Sequence, residues 1–376
     1  MKGRPATARA RDWLLARAWI VGWWAGSRLV VLGVALLVHV VGWPSRYFPK
    51  TVAHHALGLL EIWDGQWYAL VAKQGYILVS GWQSDPAFFP LDPMLLRALH
   101  ALGVPFDMAG ILVSNLSFLV ALFAFYELSR ELLQERLAKR ATVLLAVAPA
   151  GFVFSMAYPE SFVLAALCFA ALLALRRRWL LSAACVALAA LARPEGVFVA
   201  IPIAALVHAC WQSLGERERT RAVTAVLAGP AALLSYPLYL SWAVHDPLAW
   251  SKAEAGWGRS FQITGLPSAV LTFWRDAHRQ PWLWRDLCFC IVYVVLVALA
   301  ARVRLPRAWL VMGALMLVLP LMSGTFQSED RFGLLALPVY WGLAGVVNGV
   351  KSERLVETLG VLLLTAGTLT LPLVSP

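Results

Sequence analysis

The chain has 376 residues, 60% of them hydrophobic and only 14% charged, with a mean hydropathy of +0.70. A soluble domain carries roughly 25% charged residues, so the composition excludes a soluble globular protein, a disordered chain and a nucleic-acid-binding module. The apolar residues run in blocks long enough for helices to cross a bilayer, which disfavours a membrane barrel.

The N-terminal residues Lys2, Arg4, Arg9, Arg11 and Arg17 precede an apolar run over 18–42. It is too long for a signal h-region and reads as a retained first helix. The polar segment 43–106 follows, with short amphipathic stretches at 56–72 and 91–103 that read as helices lying in the interface plane. Further apolar runs lie near 107–128, 141–156, 159–175, 179–192, 195–211, 222–243, 282–301, 309–325, 332–350 and 357–374. The sequence thus predicts an all-α polytopic membrane protein with about eleven transmembrane helices. Several runs, 179–192 most clearly, fall near or below the usual lower limit of ~17 residues and are expected to be tilted, broken or packed among neighbours. A second polar segment, 244–281, carries Trp250, Lys252, Trp257, Arg259 and Trp274. Neither segment has enough apolar material for its own core, so residues 1–376 read as one integral-membrane domain.

The net charge of +11 is distributed by side. With the N-terminus in the cytoplasm, the short inner connections hold 20 of the 32 Lys and Arg residues, and the much longer outer segments hold 11. That contrast orients the whole chain by the positive-inside rule and makes 43–106 and 244–281 extracytoplasmic loops. The abundance of Arg over Lys, with Ala, Leu, Gly and Pro, points to the plasma membrane of a high-GC bacterium. Cys168, Cys185, Cys210, Cys288 and Cys290 all lie in apolar runs and read as packing residues, with no disulfide framework. No zinc signature, P-loop, dinucleotide fingerprint or nucleophile elbow is present. ATP-driven chemistry is disfavoured, and a lipid-linked group donor fits better.

Polar residues at the outer helix ends carry the chemistry. In Glu61-Ile62-Trp63-Asp64-Gly65-Gln66-Trp67-Tyr68, a helix would place Glu61 and Asp64 on one face and Trp63 and Trp67 on its neighbour. Indole faces stack on a pyranose, and a carboxylate can take a hydroxyl proton. An interfacial helix with aromatic anchors and solvated acids has the same composition. His54 and His55 stand nearby and read as solvated loop residues. Asp85 and Asp92 flank a rigid stretch with Pro86, Pro90 and Pro93, where Asp92 could cap the following helix. Three further outer turns carry Tyr158-Pro159-Glu160-Ser161, Arg193-Pro194-Glu195 and Ser328-Glu329-Asp330-Arg331. Each is compatible with a capped turn. Gathered on one side, they imply an outward polar cavity roofed by the two loops, with Arg193 and Arg331 suited to grip a phosphate.

The order Trp63-Asp64-x-x-Trp67-Tyr68, Phe88-Phe89-Pro90-Leu91-x-Pro93, Tyr158-Pro159-Glu160-Ser161, Arg193-Pro194 and Asp330-Arg331-Phe332 resembles the PIG-V-like family. These are GPI mannosyltransferase II and its bacterial relatives, within the GT-C glycosyltransferases. The resemblance runs over about residues 18–345. It implies a helical GT-C bundle acting on the non-cytoplasmic side, with a polyprenyl-phosphate sugar donor and an inverting mechanism. Asp64 would be the base, Arg331 or Arg193 would stabilise the leaving phosphate, and Glu61, Trp63, Trp67, Tyr68, Asp85, Asp92, Glu160 and Glu195 would contact substrate. The acceptor would be a lipid, glycan or protein. No cofactor or metal is required by that scheme, although a divalent metal requirement is compatible with it, as is an accessory membrane subunit. Asp92 stands where relatives often have an aromatic residue, and Phe332 where a tyrosine is common. A lipid or solute transporter is the alternative. The one-sided placement of polar residues and the lack of two related halves count against it.

Overall fold

A computed structural model describes residues 12, 15–42 and 56–373. His54 and His55 lie outside the described residues, as does most of the N-terminal basic stretch. The described residues are organised in helices: α1 (Ala18–Val41), α2 (Asp64–Gln74), α3 (Leu91–Ala101), α4 (Phe106–Leu132), α5 (Glu135–Ala146), α6 (Glu160–Leu175), α7 (Trp179–Ala192) and α8 (Ala200–Cys210). The order continues with α9 (Glu216–Ala243), α10 (Ala249–Gly256), α11 (Gly265–Asp276), α12 (Trp282–Ala300), α13 (Arg307–Leu321), α14 (Glu329–Phe332), α15 (Pro338–Val346) and α16 (Val350–Thr370). Short 3-10 turns join several of them.

Five stretches among the described residues are long and apolar enough to cross a membrane: Ala18–Val41, Phe106–Leu132, Pro194–Ser213, Glu216–Ala243 and Trp282–Val303. Glu160–Leu175, Trp179–Ala192 and Arg307–Leu321 are shorter apolar helices. The expected count of about eleven spans is therefore not reproduced. Two of the apolar runs are broken. The run 141–156 ends its helix at Ala146, passes Pro149 and continues as a 3-10 turn over Gly151–Ser155. The run 332–350 is split among α14, a 3-10 turn and α15, where Pro338 restarts the helix. Both breaks are buried in the bundle, where neighbouring groups satisfy the freed carbonyls. Arg28 of α1 does this at the first break: its guanidinium donates to the Gly151 carbonyl and to Ser155 Oγ, each at 2.9 Å, and lies 4.6 Å over the Phe118 ring.

α6 and α7 form the centre of the bundle, with α4 packed on α6 and α9 on α7. Their facing surfaces are small. Ala166, Ala170, Ala171 and Ala174 on α6, and Ala183, Ala189 and Ala190 on α7, are all buried. Between helices in lipid, close backbone approach and dispersion replace the hydrophobic effect as the source of affinity, and alanine permits that approach. Ser182 Oγ adds a bond to the Ala170 carbonyl at 2.7 Å. The same packing forces α6 and α7 to share their ends. Glu160 opens α6 and Arg193 follows α7, so both emerge at one end of the bundle, while Arg176, Arg177 and Arg178 turn at the other.

Candidate active site

Asp64 begins α2, and the residue before it is bent. Trp63 has φ +59°, a left-handed conformation costly for a non-glycine residue. Neighbouring groups hold this turn: the Ala157 N–H donates to the Leu60 carbonyl at 2.8 Å, Tyr158 OH donates to the Ile62 carbonyl at 3.3 Å, and the Asp64 N–H donates to Tyr158 OH at 3.3 Å. The expected helix over 56–72 is thus corrected: a 3-10 turn covers Gly58–Leu60, and the helix starts at Asp64. Glu61 lies before the turn, so it and Asp64 do not share a helix face. Gly110 lets α4 close against this region, since a Cβ there would stand 2.5 Å from Ala157 Cβ.

Asp64 meets an ion-pair network. Arg331 Nη1 donates to Asp64 Oδ2, and Arg331 Nε lies 3.6 Å from Glu160 Oε1. Arg193 donates to Glu160 Oε1 at 2.5 Å and grips Glu195 through two bonds of 3.2 and 3.1 Å. Burial alone would lower the Arg331 pKa, but Asp64 and Glu160 outweigh it and hold the guanidinium above its ordinary value. Buried charges of both signs are tolerable only in such paired sets. The ring of Phe332 lies beneath three guanidinium groups, at 4.8 Å from Arg193, 5.0 Å from Arg259 and 5.1 Å from Arg331.

These groups wall a cavity of about 460 Å³ that opens to solvent. Trp63, Asp64, Tyr68, Arg193, Glu195 and Arg331 line it. Glu160 stands behind the wall, bound to both arginines. Trp67 is also behind it, stacked on Phe88 at 5.7 Å. Three more expected residues also do not line the cavity. Asp85 is spent on the chain, accepting the Ile77 N–H at 2.6 Å. Asp92 is not an N-cap, because Pro90 holds that position and no side chain caps the helix. Its buried carboxyl is pushed up to about 8, by burial and then by the charge of Glu160. Glu61 precedes the Trp63 turn in the chain and is not among the lining residues.

The second loop supplies cavity residues that the motifs did not assign to the site. α10 carries Trp250, Glu254 and Trp257 to the cavity, and Arg259 follows. Their i, i+4, i+7 spacing puts the first three on one helix face, a signal the sequence did contain. Trp257 donates from Nε1 to the Ser84 carbonyl at 3.2 Å and packs edge-on against Trp67 and Phe88. Glu254 is pushed up to about 7 by burial, against the pull of Arg259. Arg259 donates to the Gln327 carbonyl at 3.2 Å. Among the described residues it makes no ion pair with a carboxylate, unlike Arg193 and Arg331. No group of three or more His, Cys, Asp or Glu side chains among the described residues is arranged to hold a metal ion.

The family model for mannosyltransferase (PIG-V) matches residues 39–246, which include the Asp64 turn, the α6 start and the Arg193 turn. The chain belongs to the mannosyltransferase (PIG-V) family. The match spans more than half of this PIG-V family chain and ends just before α10. No curated protein matches the sequence. A solved structure of an oligosaccharyltransferase from Archaeoglobus fulgidus is similar at 15% identity with a TM-score of 0.42, covering 91% of this chain and 52% of that one. The chain therefore spans about half the length of that relative.

Proposed function

We propose that this PIG-V family protein is an integral-membrane inverting glycosyltransferase of the GT-C type. It moves mannose from a polyprenyl-phosphate donor to an acceptor hydroxyl at the extracytoplasmic face. The observation that carries the reading is the Asp64 carboxylate at the cavity wall, a quarter exposed and oriented by Arg331. The acceptor oxygen attacks the anomeric carbon and passes its proton to Asp64. The bond from that carbon to the phosphate oxygen breaks, and its electron pair leaves with the lipid phosphate. Asp64 then returns its proton to water in the open cavity. Arg331 holds the carboxylate aimed before attack. Arg331 and Arg193 remain candidates to meet the leaving phosphate, and Arg259 joins them as the cavity guanidinium not already held by an acid. Tyr68, Trp63 and Trp250 offer ring faces and a hydroxyl for the sugar. The lipid, glycan or protein nature of the acceptor and any accessory subunit belong to the same proposal.

Purified protein in lipid, incubated with radiolabelled polyprenyl-phosphate mannose and a total lipid extract, should yield a labelled product. Asp64→Asn should insert normally and lose transfer by at least ~10²-fold, the usual scale of a general base. Near-normal transfer by the folded variant would remove Asp64 from the mechanism.

A further inference from the structure

At the end of the bundle remote from the cavity, α7 and α9 begin side by side. A groove of about 840 Å³ lies between their first turns. Four arginines line it, Arg177, Arg178, Arg217 and Arg221, against Glu216 and Glu218. Glu218 is engaged by Trp179 Nε1 at 3.2 Å and lies 3.9 Å from Arg177. Arg178, Arg217 and Arg221 have no carboxylate partner among the described residues and are exposed. Residue Glu216 joins this groove to a second one of about 530 Å³ that runs along α9 and is mostly apolar, lined by Val223, Leu227 and Ala231. Trp211 continues it into a third, about 340 Å³, beside Ala204 and Val207. The Arg219 guanidinium lies 5.1 Å over the Trp211 ring, at the junction of the basic and apolar parts. The outer face of α9 is apolar and exposed at Val223, Leu227, Leu234 and Leu238, so the grooves open toward lipid.

The geometry points to a binding site for an anionic glycerophospholipid, with its phosphate among Arg178, Arg217 and Arg221 and an acyl chain along Val223, Leu227 and Ala231. Charge selects the headgroup: unpaired guanidinium groups at the membrane surface favour an anionic lipid over a zwitterionic one. Continuity with the apolar groove selects a lipid over a soluble anion. The site is separate from sugar transfer and does not depend on it.

The protein in neutral detergent is titrated with phosphatidylglycerol, phosphatidylcholine or inorganic phosphate. Bound lipid is counted by native mass spectrometry and thermal unfolding is followed. Phosphatidylglycerol should remain bound and raise the unfolding midpoint, phosphatidylcholine should not, and added salt should weaken the preference. Replacing Arg178, Arg217 and Arg221 together by Gln should cut phosphatidylglycerol retention by at least about tenfold, on the scale of three surface arginines. Ala231→Trp fills the apolar groove and should weaken lipid retention while leaving the arginines in place. Equal retention of the two lipids by the unaltered protein, undiminished phosphatidylglycerol retention in either variant, or the same stabilisation by inorganic phosphate alone would overturn the assignment.

Discussion

Single side chains divide the cavity into groups that hold one another and groups that are available. Arg331 serves both Asp64 and Glu160, so Arg331→Gln leaves Asp64 without that partner and the buried Glu160 with Arg193 alone. Breaking a buried pair costs about 3–5 kcal/mol, and a clear fall in the unfolding midpoint in detergent is expected. Arg259→Gln breaks no ion pair among the described residues, although Glu254 feels its charge, so it should lower that midpoint less than Arg331→Gln does and still weaken donor use. Donor titrations beside melting curves separate the two, and equal melting losses would refute the distinction. Asp92 gives a pH signature. Its native carboxyl keeps a proton to about 8, whereas in the unfolded chain it ionises near about 3.9. Between those limits the native state binds more protons, so stability drains as pH rises and levels off above the upper limit. The wild-type midpoint should decline from pH 5 to pH 8 more steeply than that of Asp92→Asn; parallel curves would remove Asp92 as a buried neutral acid. Asp64, Tyr68, Arg193 and Arg331 were legible in the sequence because polar groups at helix ends stand out in so apolar a chain. The separation of Glu61 from Asp64 was not, because it depends on the left-handed backbone at Trp63, which no spacing rule encodes.

Helices and turns determine where those side chains arrive. The roof helix α10 approaches the first loop so closely that a Cβ on Gly256 would lie 2.1 Å from the Trp82 carbonyl oxygen. That neighbour is backbone and cannot swing away. Gly256→Ala should shift α10, and with it Trp250, Glu254 and Trp257, relative to Asp64. Transfer should fall at least several-fold, while membrane insertion and the yield of purified protein stay normal. Unchanged kinetics would mean that the roof does not contribute to the site. The apolar runs located most of the long helices. They failed at 141–156 and 332–350, where hydropathy stays high across a break. Proline marks each break, but whether a buried break is satisfied depends on distant partners such as Arg28, which only the packed bundle brings together.

Across the whole molecule, the acids and arginines of the cavity occupy one end, and the basic turns at 176–178 and 217–221 the other. Sided labelling tests the orientation proposed from that asymmetry. In cells, a cysteine replacing His245 should react with an impermeant thiol reagent from outside, and one replacing Arg178 only after the membrane is opened. The reverse pattern would place the cavity in the cytoplasm. The charge asymmetry was readable from sequence because it sums over the chain. The pairing of the second loop with the first was not, because residues near 83 and 257 meet only through the fold.

The two central helices are short. α6 has 16 residues and α7 has 14, which at ~1.5 Å per residue is roughly 24 and 21 Å. A hydrocarbon layer is about 30 Å thick. The bilayer must dip where these helices surface, or water must follow the cavity floor below the general level of the headgroups. A substrate with a greasy tail would then meet Asp64 without being lifted out of its leaflet, because the aqueous boundary has come down to it.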